Sequence, residues 1–436
     1  MKTFKFKMNV LPASLIFMVM VMSLPANGAY TAREKVKNDT TYKVYTGKVI
    51  DALTKKPVVF ANVYLVKSSI GTVTNSDGEF VLKVPVGELN QAVGFSFIGY
   101  HNVEVKLSEF SPEENVIKLE PSSVPIKEVV IRTSDPSELL RMAMRRIDEN
   151  YKISPEMLIA FYRETIKQNR NYVAVSEAVL DVYKSPYNND FEMDRVKIYK
   201  GRKSQDVKKM DTLIFKLQGG PRTSFLLDVV KNPGALLSSD FIEYYEFLFA
   251  GFVTIDGRDN YVIEFDQREN VNYPLYKGRI YLDTKNLAFS RLDFELSEKG
   301  IDLADNELVR KKPIDLKVNV IGAHYMINYR VLDDKWYLNH VRSELTFDCK
   351  WDKKLFKSTY VTALEMAVTD RENEMVDKFK YKESAKMSDV FADQVKNFTD
   401  GDFWGEYNYI KPDESIESAI SKLNRKLKRK ELEPGN

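Results

Sequence analysis

The chain has 436 residues, with 65 Lys plus Arg against 63 Asp plus Glu. That balance excludes the basic footprint of a nucleic-acid binder, so no nucleic-acid partner is expected. A single Cys excludes an intramolecular disulfide, and three His leave little material for a zinc hydrolase.

Residues 1–29 read as a signal peptide. Lys2, Lys5 and Lys7 form a positive start, residues 11–24 are apolar, and Ala26-Asn27-Gly28-Ala29 offers a small-residue cleavage site. The apolar run is shorter than the roughly 20 residues a membrane-spanning helix needs. No Cys follows it, so lipidation at the junction is not expected. The expectation is export, to the periplasm or to an outer-membrane-associated position, not as a lipoprotein.

Residues 42–120 read as a seven-stranded β-sandwich, with strands near 44–50, 59–66, 70–74, 79–84, 92–98, 101–107 and 115–119. The hairpin turn Asn75-Ser76-Asp77-Gly78 is the sharpest signal: Gly78 supplies the positive φ, and Asn75 and Asp77 can bond their own backbone. After it, Phe80, Leu82 and Val84 point one way while Glu79, Val81 and Lys83 point the other. Pro121-Ser122-Ser123-Val124-Pro125 then forms a connector.

A connecting helix is expected over 134–152, with Asp135 as N-cap, Pro136 in the first turn and Glu138 completing a capping box. Leu139, Leu140, Ala143, Ile147 and Tyr151 make its apolar stripe. Arg141, Arg145 and Arg146 read as its solvated face, an anion site being the alternative.

Residues 153–400 read as a large antiparallel meander or half-barrel, making the protein mainly β with a few helices. The 24 Tyr and 25 Phe support that class over a helical bundle. A helix over 223–231, ended by Asn232-Pro233-Gly234, is expected on the concave side. Residues 401–436 combine an aromatic clasp (Phe403, Trp404, Tyr407, Tyr409) with an amphipathic helix opened by Pro412. Ile416, Ile420, Leu423 and Leu427 share one face of that helix. Its basic end, Arg425-Lys426-Leu427-Lys428-Arg429-Lys430, suits a helix C-terminus, with peripheral contact to anionic lipid as the alternative.

Signatures of chemistry are sparse. There is no phosphate loop, no G-x-G-x-x-G after a strand and no G-x-S-x-G elbow. His324 and His340 flank a predicted hairpin that would bring them together, yet two His leave a metal site incomplete. Cys349 reads as a small buried hydrophobe on a strand. Arg163-Glu164, set between aromatic residues, reads as a cross-strand surface pair, with a polar network inside the half-barrel as the alternative. No catalytic, cofactor-binding or metal-binding residue is assigned, no cofactor is expected, and the protein is not expected to be an enzyme.

Gly47-Lys48-Val49-Ile50-Asp51, Pro57-Val58-Val59-Phe60-Ala61-Asn62-Val63, residues 71–80 and Phe97-Ile98-Gly99-Tyr100 together resemble the carboxypeptidase-regulatory-like domain. This is a transthyretin-like β-sandwich common in envelope proteins of Bacteroidota. The resemblance implies a spacer or interaction module and none of the catalytic residues of carboxypeptidases. Phe161-Tyr162-Arg163-Glu164, Ser176-Glu177-Ala178-Val179, Phe403-Trp404-Gly405-Glu406-Tyr407 and Ile410-Lys411-Pro412-Asp413 resemble Bacteroidota proteins that carry this domain. Residues 276–283 resemble the strands of lipoprotein-carrier half-barrels.

The leading expectation is a non-catalytic cell-envelope protein acting as a binding or interaction module at the outer membrane, with an envelope protein or glycan as partner. The alternative is a periplasmic carrier of a lipid or other apolar ligand, with Phe225, Leu226, Leu227, Val229 and Val230 lining or gating the cavity; plain core packing is the other reading of those residues. A hydrolase with an unrecognised carboxylate site is the third.

Overall fold

The computed structural model describes residues 18–19, 42–111, 115–122, 135–189, 191–206, 217–305, 314–372, 376–398 and 403–432. Met18–Val19 pairs with Leu217–Gln218; the rest of the expected signal peptide lies outside the described residues, as does most of the 121–125 connector. No helix among the described residues is long and apolar enough to cross a membrane.

The first layer is the expected sandwich. Its strands are β1 (Tyr42–Asp51), β2 (Asn62–Leu65), β3 (Gly71–Val73), β4 (Glu79–Pro85), β5 (Ala92–Ser96), β6 (Val103–Lys106) and β7 (Val116–Leu119). One sheet has the order β4-β1-β7, with β7 parallel to β1; the other is β3-β2-β5-β6 and wholly antiparallel. Val49, Val63, Phe80, Leu82 and Phe95 are completely buried between them. The turn forms as its residues dictate: Gly78 has φ 75°, and the Asn75 carboxamide accepts from the Asp77 and Glu79 amides at 3.0 and 2.8 Å. The alternation along β4 is correct, but its outward residues Val81 and Lys83 are buried too. Another segment covers them.

The connecting helix differs from expectation. α1 (Pro136–Arg145) starts as predicted, with the Asp135 carboxylate accepting from the Ser137 amide at 2.8 Å. The chain then leaves helical geometry at Arg146 (φ −100°, ψ 15°), and a separate turn, α2 (Ile147–Asn150), follows. Tertiary contacts explain the break. The Tyr151 hydroxyl accepts from the Phe289 amide at 2.9 Å and donates to its carbonyl at 3.0 Å, so Tyr151 must turn into the core. Glu138 does not complete a capping box; it pairs with Arg145 at 2.7 Å and Arg141 at 3.6 Å.

The second layer is an eleven-stranded sheet. Ten strands are β8 (Glu156–Gln168), β9 (Asn171–Lys184), β10 (Arg195–Gln205), β11 (Tyr245–Ile255), β12 (Arg258–Gln267), β13 (Tyr276–Asp283), β14 (Phe289–Leu296), β15 (Leu316–Leu332), β16 (Lys335–Trp351) and β17 (Ser358–Glu372). The order is β11-β12-β13-β14-β15-β16-β17-β8-β9-β10-β18, where β18 (Lys396–Asn397) adds a short parallel edge. The last long strand thus pairs with the first.

One sheet face carries the main core, including Tyr162, Leu180, Ile263, Tyr325, Val341 and Met366. α3 (Gly220–Leu226) and α4 (Gly234–Leu237) lie on this side. The helix expected at 223–231 therefore starts earlier and stops earlier. Gly219, with φ 84°, and Pro221 set its start, and Pro233, expected to end it, caps α4 instead. Beyond Leu226 the backbone bends so that Asp228 turns into the core. There it accepts from Lys184 Nζ at 2.7 Å and from the Tyr187 and Tyr329 hydroxyls at 2.9 and 2.7 Å.

The other face is covered by the sandwich and by a strap of residues 403–413. Trp404 and Ile410 pack with Phe161, Val179 and Ala367 of the sheet and Val73 of the sandwich. The Asn408 side chain bonds both the amide and the carbonyl of Lys83, at 2.7 and 3.0 Å, so one carboxamide completes the open edge of β4. α6 (Glu414–Leu432) follows the strap, preceded by the short α5 (Phe391–Gln394). Asp413 caps α6 by accepting from the Ile416 amide at 2.8 Å, and Ser76 of the hairpin turn donates to the same carboxylate. The hairpin turn returns the contact: Asp77 accepts from the Glu414 amide at 2.9 Å and Glu79 pairs with Lys411 at 2.7 Å.

Asp413→Ala removes a helix cap and an interdomain acceptor together. It is expected to cost about 1–2 kcal/mol, the upper range for a lost N-cap, read as a lower urea midpoint at unchanged slope; Asp413→Asn is expected to recover most of it.

Candidate functional site

Register places one residue from each of nine neighbouring strands in a single row on the strap-facing side. In sheet order these are Glu264, Arg279, Asp293, Met326, Arg342, Glu365, Arg163, Glu177 and Arg202. Charge alternates along the row, with Met326 the one uncharged member. Directly opposed side chains of opposite sign attract, so the order is self-neutralising. Ion pairs join Arg279 to Glu264 at 2.7 Å, Arg163 to Glu177 at 2.8 Å and to Glu365 at 3.7 Å, and Arg202 to Glu177 at 3.0 Å.

Exposure changes along the row. The Arg279 side chain is 57% exposed, whereas those of Arg163 and Glu177 are 3% and 1%. Arg163 also donates to the Ile410 carbonyl of the strap at 2.6 Å. The Glu365 carboxyl meets an opposing burial cost. His340, bonded to it at 3.3 Å, with the Arg342 and Arg163 charges, holds it down to about 2.

Where the row passes under the sandwich, a cleft of about 240 Å³ opens. The sandwich contributes Phe60, Asn75 and Ser76, the sheet Arg163, Thr165, Lys167, Arg342, Glu344 and Glu365, and the start of α6 Asp413 and Ser415. Its charged lining is balanced, with three cations (Arg163, Lys167, Arg342) and three carboxylates (Glu344, Glu365, Asp413). Arg342 lies over the Phe60 ring, 5.0 Å from its centroid, and bonds Glu344 at 3.0 Å. Such a lining can orient a polar ligand by hydrogen bonds at both charge signs, and two aromatic rings, Phe60 and Tyr172, border it.

The neighbouring residue on β8 behaves in the opposite way. Glu164 points to the core face, where its described hydrogen-bond partner is the Tyr162 hydroxyl at 2.6 Å. Burial pushes its carboxyl up to about 8 against the pull of that hydrogen bond, so it is protonated at neutral pH. Arg163 and Glu164 are therefore not the surface pair expected. Each is buried, on opposite faces of one strand.

The other sequence candidates fall elsewhere. Phe225, Leu227, Val229 and Val230 are buried in the main core and Leu226 is half-buried; none of the five lines the cleft. His324 lies opposite Glu344 and His340 opposite Asn328, so the hairpin register separates the two imidazoles it was expected to unite. His324 pairs with Asp293 at 3.1 Å instead. Among the described residues no three His, Cys, Asp or Glu side chains are grouped to hold a metal ion. Cys349 is buried, and burial pushes its thiol up to about 12. The row itself was missed: only the strand register, fixed by hairpins far apart in sequence, aligns its members.

Two substitutions separate the faces. Arg163→Ala leaves buried Glu177 to Arg202 and buried Glu365 to His340, and is expected to cost about 3 kcal/mol, the lower end for a broken buried ion pair. Glu164→Gln keeps an acceptor for Tyr162 and removes the penalty of ionisation. The native penalty grows between about pH 4.5, the unperturbed value, and about pH 8. The variant is thus expected to melt higher than the native chain above pH 8 and to lose that advantage below pH 4.5.

Residues 45–131 match the CarboxypepD_reg-like domain family. No curated protein matches the chain. Among solved structures, a DUF1329 family protein from Desulfovibrio piger ATCC 29098 aligns at 14% identity, covering 57% of this chain and 99% of that one, with a TM-score of 0.22. The N-terminal unit is therefore a CarboxypepD_reg-like domain, joined to a large antiparallel sheet.

Proposed function

We propose that the protein is a non-catalytic binding module of the cell envelope, and that the cleft between sandwich, sheet and strap takes a polar, charge-balanced ligand such as an envelope glycan or glycopeptide. The observation that carries this reading is the lining of the cleft: balanced charge, hydroxyls and the Phe60–Arg342 stack, supplied by three chain segments far apart in sequence. Export is part of this proposal, supported by the Lys-led apolar pattern of residues 1–29. The carrier reading would require the 223–231 segment to leave the main core, against the bonds that hold Asp228.

Titration of the full chain with soluble muropeptides and with neutral oligosaccharides, followed by calorimetry, tests the reading. Saturable binding is expected with one of them, and Arg342→Ala is expected to weaken it about tenfold, or about 1.4 kcal/mol. Absence of binding to both, or an Arg342→Ala chain that binds as well as the native one, would overturn it.

A further inference from the structure

Beside the cleft, the tip of the β8–β9 hairpin and one flank of α6 border a trough of about 710 Å³. Five cations line it, Lys167 and Arg170 from the hairpin and Lys422, Arg425 and Lys426 from the helix, against one carboxylate, Asp206. Asp206 is already bonded to Lys426 at 2.8 Å. Arg170 and Lys422 have no partner among the described residues. Among the described residues the trough's excess of positive charge is therefore uncompensated.

The helix does not account for this crowding. Favourable placement of cations at a helix C-terminus fades beyond the last turn. α6 runs to Leu432, so Lys422, Arg425 and Lys426 lie further back. Residues three and four apart on a helix are neighbours, so Lys422 repels both Arg425 and Lys426.

The hairpin side is held in place. Asn169 adopts φ 54°, its amide donates to the Thr359 carbonyl at 2.6 Å, and its side chain accepts from the Thr359 amide at 3.0 Å. Arg170 thus sits on a turn clamped to the adjoining strand. The helix is tied to β10 by the Ser204 hydroxyl, which donates to the Asn424 side chain at 2.7 Å. Both walls are set before any ligand arrives, the condition under which charge gives affinity rather than loop ordering.

We infer that this trough binds a phosphate-bearing polyanion, either a phosphorylated glycan free in solution or the headgroup of an anionic lipid. Convergence of several cations suits a multiply charged group over a single carboxylate, and Arg170 and Arg425 can each grip phosphate oxygens in pairs. The inference stands without the reading of the neighbouring cleft.

The test uses the full chain and two probes: inorganic tripolyphosphate by calorimetry, and vesicles of phosphatidylglycerol against phosphatidylcholine by co-sedimentation. Saturable, salt-sensitive binding of either anionic probe is expected. The double charge reversal Arg170→Glu, Lys422→Glu is expected to weaken it at least tenfold. Both positions are exposed, so an unchanged melting temperature would show that the variant folds. Binding of tripolyphosphate points to the soluble source, and binding of vesicles alone to the lipid headgroup; each supports the inference. No binding to either probe, undiminished binding by the folded double variant, or equal affinity for citrate would overturn it.

Discussion

Arg163 is the residue on which the arrangement turns. Removing a guanidinium from water costs several kcal/mol, and only close geometry with every donor engaged offsets that cost. Here two carboxylates flank it in the same cross-strand row, and the Ile410 carbonyl takes a further donor. The Phe161 ring lies beneath it at 5.1 Å. Because Ile410 belongs to the strap, the neutralisation of a charge in the sheet depends on a segment nearly 250 positions away. The strap in turn completes β4 of the sandwich through Asn408 and meets its hairpin turn through Lys411 and Asp413.

The two faces of β8 show how a one-residue step decides chemistry. Arg163 lies in a row where each neighbour has the opposite sign, and the low dielectric strengthens those pairings. Glu164, one position on, faces the core, where among the described residues the Tyr162 hydroxyl is its hydrogen-bond partner, and holds its proton instead. Midway along the row, where it passes under the sandwich, Arg342, Glu365 and Arg163 line the cleft. The candidate site is thus the part of a structural device that packing leaves open, a common way for binding sites to arise between domains.

Much of this was legible in the sequence, and the limits have physical causes. The seven sandwich strands follow from alternation and from the Asn75–Gly78 turn, because those signals are local. The meander follows from its hairpins for the same reason. The connecting helix was read too long because its periodicity continues through Ile147 and Tyr151, while the break comes from bonds between Tyr151 and Phe289. Likewise Asp228, buried among Lys184, Tyr187 and Tyr329, bends a segment whose composition is helical. The turn that marked the fold also docks the strap, which its own residues do not announce. The charged row was invisible because its members come from nine strands, each unremarkable alone.

The central claim is that the ionic row and the strap make sandwich and sheet one cooperative body. Differential scanning calorimetry of the full chain addresses it directly. The account predicts a single transition whose calorimetric and van't Hoff enthalpies agree, splitting into two when Arg163 is replaced by Met. Two separate transitions in the native chain would contradict it, because the sandwich would then fold and melt without the strap that Arg163 holds.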